Sequence, residues 1–162
     1  MIIGLSIENF TILHVIISLI AIASGLIVLA GMLRARRLPG WTALFLVTTI
    51  LTSVTGFMFP ISGLTPSIVF GLISIVILVI ALNALYVKHL AGAWRWIYVT
   101  TALIALYLNV FVLIVQSFQK VPALQKLAPT QSEPLFSVTQ GVVLVAFLIL
   151  GIMAARRFRP TP

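Results

Sequence analysis

Residues 9–33 read NFTILHVIISLIAIASGLIVLAGML and contain no Asp, Glu, Lys or Arg. Three further stretches, residues 38–87, 96–119 and 134–155, also lack these four residue types. A helix needs about 20 apolar residues to cross a hydrocarbon core about 30 Å thick. Three of the stretches fit one crossing each, and residues 38–87 fit two crossings joined by a turn at 59–66. The sequence therefore predicts five membrane-spanning helices.

These spans predict an all-α fold, an integral membrane bundle of five transmembrane helices that forms a single domain over residues 1–162. Hydrophobic residues make up 62% of the chain and charged residues only 7%, whereas a soluble protein carries about 25% charged residues. No large soluble domain fits between the spans. The predicted spans cover residues 10–33, 41–59, 67–87, 94–118 and 135–155.

The connection before the last span has a pattern of its own. Apolar residues recur at helical spacing over residues 121–128, and Pro122 suits a first helical turn, so a short surface helix is expected there. Thr130 and Glu133 match a capping box, with Thr at the N-cap and Glu three residues later. This pattern predicts that the last helix begins at Thr130.

The basic residues cluster at alternate ends of the predicted spans. One side of the membrane receives eight of the ten Lys and Arg residues and no acid. These eight residues, which set topology and face lipid headgroups, are Arg34, Arg36, Arg37, Lys88, Arg95, Arg156, Arg157 and Arg159. Because Lys and Arg favour the cytoplasmic side, the N-terminus is predicted outside and the C-terminus in the cytoplasm. Orientation and attraction to anionic lipid explain the net charge of +8, and no nucleic-acid partner is expected.

The sequence carries no catalytic signature. It has no cysteine, no Walker loop, no HExxH and no GxSxG. Both acidic residues, Glu8 and Glu133, lie outside the spans, which argues against a buried carboxylate relay. No metal site is expected, because a metal needs more ligands than one histidine supplies. These features favour a protein that is not an enzyme.

His14 is the most informative polar residue within a span. It lies four residues past the predicted start of the first span, about 6 Å deep. Ser18, Ala21 and Gly25 follow on the same helix face, and such small residues let helices pack closely. We therefore expect His14 to point into the bundle. There it serves either as a packing residue, hydrogen-bonded to a neighbouring helix, or as a ligand-binding residue.

Other hydrogen-bonding side chains fall at similar depths, in the outer half of the predicted bundle. Together with His14 they form the set of candidate ligand-binding residues: His14, Ser18, Thr55, Ser74, Asn109, Gln116 and Gln140. One interpretation is interhelical hydrogen bonding, worth on average about 0.6 kcal/mol per bond. The other is a pocket that opens outward and holds a head group or a cofactor.

Three functions remain open on these observations. The first is an accessory or interaction subunit, or a binder of a lipid-like ligand in the outer half of the bundle. The second is a redox protein that binds haem or quinone through His14, and the third is a small channel or carrier for a neutral solute. Haem held by two histidines of one chain is not expected, because His89 lies at the opposite membrane face. The expected partners are the lipid bilayer, other membrane subunits or a second copy.

Four segments carry a resemblance: GWTALFL at 40–46, LTSVTGFMFP at 51–60, LYLNVFVL at 106–113 and KVPAL at 120–124. Together they resemble a group of small, uncharacterised bacterial inner-membrane proteins, over most of the chain. The resemblance implies a location in the bacterial inner membrane. It implies no activity.

Overall fold

The computed structural model describes residues 1–60, 63 and 66–159, which form helices and turns without a β-strand. The α-helices among them are α1 (Ile7–Leu33), α2 (Pro39–Phe57), α3 (Pro66–Leu82), α4 (Trp94–Lys120), α5 (Pro122–Leu127) and α6 (Pro134–Arg157). A π-helical turn, Asn83–Val87, extends α3. Five helical segments among the described residues are long and apolar enough to cross a membrane: α1, α2, α4, α6, and α3 together with its π-helical turn (Ile68–Val87).

The five long helices correspond to the five predicted spans, with shifted ends. The first begins at Ile7 because the Ser6 side chain caps it by accepting the backbone N–H of Asn9 at 3.2 Å. The predicted turn at 59–66 lies partly outside the described residues. The short helix α5 lies within residues 121–128, where the sequence predicts a short surface helix.

The predicted capping box does not start α6. Its N-cap is Glu133, in an extended conformation, and the helix begins at Pro134. A residue before proline is disfavoured in the helical region, so Pro134 excludes Glu133 from the helix. The Glu133 carboxylate instead accepts the Thr130 hydroxyl at 2.8 Å and the Ser132 N–H at 3.1 Å. Desolvation alone raises the pKa of this carboxyl, but hydrogen bonds from Thr130 and Ser132 outweigh it and lower the pKa.

Helix α4 lies at the centre of the bundle. It contacts α1, α3, α5 and α6, while α1 also packs on α2 and α2 on α3. Its buried face includes small residues, Ala102 and Ala105, which allow close approach of its neighbours. By contrast, α6 leaves much of its apolar surface exposed, as expected for a helix at the edge of the bundle.

Close packing at Gly25 closes the middle of the bundle. A Cβ atom at Gly25 would lie 2.6 Å from Leu106 Cδ1 and 2.9 Å from the ring of Phe45. Both neighbours are buried. A Cβ here would force Leu106 and Phe45 to move, so glycine allows α1, α2 and α4 to approach closely, and we call this contact the Gly25 septum.

The ends of the helices that carry the eight basic residues meet at one end of the bundle, which we call the basic end. A cavity of about 300 Å³ joins them, lined from the end of α1, the start of α2, the end of α3 and the start of α4. Arg95, at the start of α4, donates from Nη1 to the carbonyl oxygens of Ala155 and Phe158 and so fixes the end of α6. The opposite end, called the far end, contains Ser6 and Lys120.

Substitution at the Gly25 septum tests this packing. Gly25→Ala is expected to destabilise the bundle by about 1–3 kcal/mol, because overpacking a filled core forces neighbouring side chains to move. Gly141→Ala is the matched control, since a Cβ there meets nothing within 4 Å and alanine favours helix by up to about 1 kcal/mol. Unfolding of both variants in detergent measures the difference, and equal stability would contradict the septum.

Candidate functional site

A cavity of about 730 Å³ lies between α1, α2, α3 and α4 at the far end of the bundle. It extends along α4 from Leu108 to Lys120, about 18 Å at 1.5 Å per residue. The volume falls within the range of about 300–1,000 Å³ typical of small-molecule sites. We call it the His14 cavity. Its apolar walls are interrupted by polar side chains that include His14, Ser18, Ser74, Asn109, Gln116 and Lys120.

His14 is held by a hydrogen bond to α2. Its Nδ1 atom lies 2.7 Å from the Thr55 hydroxyl oxygen. The single Thr55 hydroxyl proton is already donated to the Leu51 carbonyl at 2.6 Å. Because that proton is used, Thr55 accepts from His14 and Nδ1 carries the imidazole proton. The interaction fixes both the orientation and the tautomer of the ring.

This tautomer leaves the Nε2 atom of His14 with a free lone pair. Within the described residues, no hydrogen bond reaches Nε2. The Phe59 ring packs edge-on against the imidazole, with centroids 5.4 Å apart. On another side lies Gly56, whose missing side chain leaves the Cε1 edge uncovered. His14 can therefore accept a hydrogen bond from a molecule in the cavity.

Asn109 forms a second link between helices. Its Nδ2 group donates to the Thr49 hydroxyl oxygen at 3.3 Å, and that hydroxyl donates in turn to the Phe45 carbonyl. The Asn109 Oδ1 atom has no hydrogen-bond partner in the described part of the chain. The Asn109 Nδ2 group thus links α4 to α2, while the Oδ1 atom is free to accept a hydrogen bond.

Ser74 and Gln116 contribute further hydrogen-bonding groups without protein partners. The Ser74 side chain is only 4% exposed, yet its hydroxyl makes no hydrogen bond to another described residue. The Oε1 atom of Gln116 is likewise buried and unpaired. Leaving a buried polar group unsatisfied costs about 1–3 kcal/mol. A bound molecule that supplied the missing partners would recover that cost.

Lys120 lies at the mouth of the His14 cavity, at the end of α4, and is exposed. It is the charged side chain among the described lining residues. Gln116 lies one helical turn deeper and Asn109 about three turns deeper. The cavity therefore presents a cation at its mouth and neutral hydrogen-bonding groups along an apolar interior.

The structure brings together most of the predicted ligand-binding residues. His14, Ser18, Ser74, Asn109 and Gln116 line the cavity, although the Ser18 hydroxyl is occupied by the His14 carbonyl. Thr55 stands behind His14 as its hydrogen-bond acceptor and does not line the cavity.

Gln140 does not belong to the His14 cavity. It lies on α6, where its Nε2 group donates to the Phe111 carbonyl of α4 and its Oε1 is buried without a partner. Its depth along the predicted span is similar to that of the other candidate residues. However, α6 packs against a side of α4 that does not face the His14 cavity. The residue links α4 to α6.

Sequence reasoning missed Thr49, Gly56 and Lys120. Thr49 and Gly56 flank Ser53 at intervals of four and three residues, which is the same small-residue pattern that marks the buried face of α1. That pattern predicts a buried face for α2 as well. Lys120 carries no comparable signal, because a lysine at a predicted span end is ordinary.

The eight predicted headgroup residues lie at the basic end, and two of them have additional contacts. The Lys88 ammonium lies 5.4 Å from the Trp94 ring centroid. The Arg95 guanidinium lies 4.9 Å from the ring of Trp96 while it holds the end of α6. Arg95 thus has a structural role beyond its charge.

Comparison with protein-family models, with curated proteins and with solved structures finds no match for this chain.

Removal of the Thr55 hydroxyl tests the assignment of the His14 tautomer. Wild-type protein labelled with ¹⁵N-histidine is expected to show His14 protonated at Nδ1, and Thr55→Val is expected to reduce that population. The variant also leaves Nδ1 without an acceptor, at a cost of about 1–3 kcal/mol in stability.

Thr48→Val is the matched control. Thr48 lies on the same helix, is equally buried, and donates only to carbonyls of its own helix. The Thr48→Val substitution should leave the ¹⁵N signals of His14 unchanged. A His14 signal protonated at Nε2 in wild type, or equal responses to the two valine variants, would contradict the assignment.

Proposed function

We propose that this chain is a five-span protein of the bacterial inner membrane that binds a lipid-like ligand in the His14 cavity. The observation that carries the proposal is the cavity itself. It is long and largely apolar, and it contains polar atoms of His14, Asn109 and Gln116 that have no hydrogen-bond partner among the described residues. An amphiphile matches this pattern, with its chain along the apolar walls and its polar group near Lys120.

The distribution of charge supports the proposed orientation. With the basic end in the cytoplasm, the far end and the mouth of the His14 cavity face outward. The ligand would enter from the outer leaflet or from the outer aqueous face. Lys120 then offers an anionic headgroup a partner, while the eight basic residues remain on the other side.

A quinone is the second candidate ligand, favoured by the free lone pair of His14. A quinol hydroxyl can donate to Nε2, and a quinone carbonyl can accept from the Gln116 amide. Haem coordinated by both histidines of one chain is not favoured, because His14 and His89 line separate cavities at opposite ends of the bundle.

The geometry does not favour the proposal of a channel or carrier. The His14 cavity reaches Ile22 on α1, and the basic-end cavity begins at Val28. Between them the Gly25 septum is filled by buried Phe45 and Leu106. A solute would have to separate these side chains. An accessory role with a partner subunit or a second copy remains compatible with ligand binding, because α6 leaves an apolar face uncovered.

Ligand binding is tested by filling the cavity. We expect full-length protein purified in mild detergent to retain a lipid or quinone, identified by mass spectrometry of the extract. Ser18→Phe, which places a ring in the cavity, should reduce the retained ligand at least fivefold, whereas Ser137→Phe on α6 should not. His14→Gln should keep the bundle folded and weaken retention.

The extract distinguishes the two candidate ligands. A lipid-like ligand would appear as a glycerolipid, and a quinone would be recognised by its mass and its absorbance. Equal retention by Ser18→Phe and Ser137→Phe would place the ligand elsewhere. A Soret band in the purified protein would instead support haem.

Orientation is tested by cysteine labelling, which the absence of native cysteine makes unambiguous. Gln125→Cys on α5 is expected to react with a membrane-impermeant maleimide in intact spheroplasts. Arg159→Cys is expected to react only after the membrane is permeabilised. The reverse pattern would invert the proposed topology.

A further inference from the structure

The basic-end cavity, of about 300 Å³, has a chemistry distinct from that of the His14 cavity. Its lining includes Arg36, Arg37, Thr42, His89 and Tyr98. The chain contains only two acidic residues. Glu8 is in the first turn of α1, about 40 Å along the helix from its last residue, and Glu133 caps α6 at the far end. Neither Glu8 nor Glu133 can therefore pair with the two arginines.

The turn between α1 and α2 fixes Arg36 beside this cavity. The N–H of Arg36 donates to the Gly31 carbonyl at 2.9 Å, and the N–H of Ala35 donates to the Met32 carbonyl at 3.1 Å. Ala35 adopts a left-handed conformation, with φ of 54°. This pattern is a Schellman motif, which ends a helix in a defined geometry. The arginine backbone is thus held in a rigid turn.

The start of α2 borders the same cavity through Leu38 and Pro39, and free backbone donors follow directly after them. Its N-cap, Leu38, provides no side-chain hydrogen bond, and the helix opens with Pro39. The N–H groups of Gly40 and Trp41 have no partner in the described part of the chain, and no atom would contact a Cβ at Gly40 within 4 Å. An uncapped helix start attracts anions through its free N–H groups and its dipole.

Two buried hydroxyls on the inner wall add an independent observation. Tyr98 is 2% exposed and Thr42 is 7% exposed, and both line the cavity. Neither hydroxyl makes a hydrogen bond to a described residue. Both O–H groups therefore lack an acceptor at the inner wall of a cavity that Arg36 and Arg37 also line.

We propose that the basic-end cavity is a phosphate-binding site. Arginine side chains, free N–H groups and a hydroxyl proton are all donors, and phosphate offers several acceptor oxygens that match guanidinium bidentately. The phosphate is either that of an anionic lipid headgroup or that of a soluble phosphate monoester, since both present the same oxygens. This site is independent of the ligand proposed for the His14 cavity.

The test compares two pairs of arginines on the full-length protein in detergent. Binding of phosphatidic acid is followed by native mass spectrometry, and binding of inorganic phosphate and glycerol phosphate by calorimetry. The double variant Arg36→Gln/Arg37→Gln is expected to weaken binding at least tenfold, roughly the loss of one charge-assisted hydrogen bond. The control Arg156→Gln/Arg157→Gln removes the same charge at the same end, outside the cavity, and should change binding less than threefold.

Tyr98→Phe separates a built site from general attraction to positive charge. It keeps the net charge and the ring but removes the hydroxyl, and should weaken phosphate binding about threefold to tenfold, while melting temperature shows whether the variant remains folded. Binding of phosphatidic acid alone would identify a lipid headgroup, and binding of the soluble phosphates would identify a soluble ligand. Equal losses in the two arginine pairs, or no loss in folded Tyr98→Phe, would overturn the proposal.

Discussion

The close contact of α1 with α2 and α4 at Gly25 is the constraint on which the interior of this protein depends. Buried Phe45 and Leu106 approach the glycine so closely that even a Cβ atom there would force them to move. This contact divides the bundle into two cavities at opposite ends. Five helical segments of this protein are long and apolar enough to cross a membrane, where helices gain little from the hydrophobic effect and associate largely through close van der Waals contact at small residues. The same contact therefore stabilises the bundle and separates its two candidate sites.

The number and order of the long helices follow from the positions of the charged residues, whereas the exact helix ends do not. The charge-free stretches predict five long helices because a chain segment without charge can be buried over its whole length. The helix ends depend on local chemistry, as the cap at Ser6 and the exclusion of Glu133 by Pro134 illustrate. Pro134 is visible in the sequence, and its effect on Glu133 outweighs the capping-box pattern. The π-helical turn Asn83–Val87 has no comparable signal, since it depends on how the end of α3 packs against α4.

The sequence predicts how deep each candidate residue lies along its span, but it predicts only in part which neighbouring helix the side chain faces. Residue number along a span gives the depth of Asn109, Gln116 and Gln140, and the small-residue stripe on α1 indicates the inward face of His14. Gln140 has a suitable depth, but the sequence does not state which side of α4 its helix packs against. The partner of His14 and the unpaired proton at Tyr98 arise only when different helices meet. A sequence read helix by helix cannot supply these relations.

The two cavities offer opposite chemistry because the interior of the His14 cavity has no charged lining residue, whereas two arginines line the basic-end cavity. In the His14 cavity, hydrogen bonds between helices use one side of His14 and of Asn109, so the atoms left over are mainly acceptors. At the basic end, neither acidic side chain of the protein is near Arg36 and Arg37, and the Tyr98 hydroxyl has no acceptor among the described residues. No residue of α6 lines either cavity, and Phe158, which directly follows the helix, lines the basic-end cavity. Substitutions on the exposed face of α6 therefore leave both sets of unpaired groups intact, and binding at either cavity depends on the first four long helices.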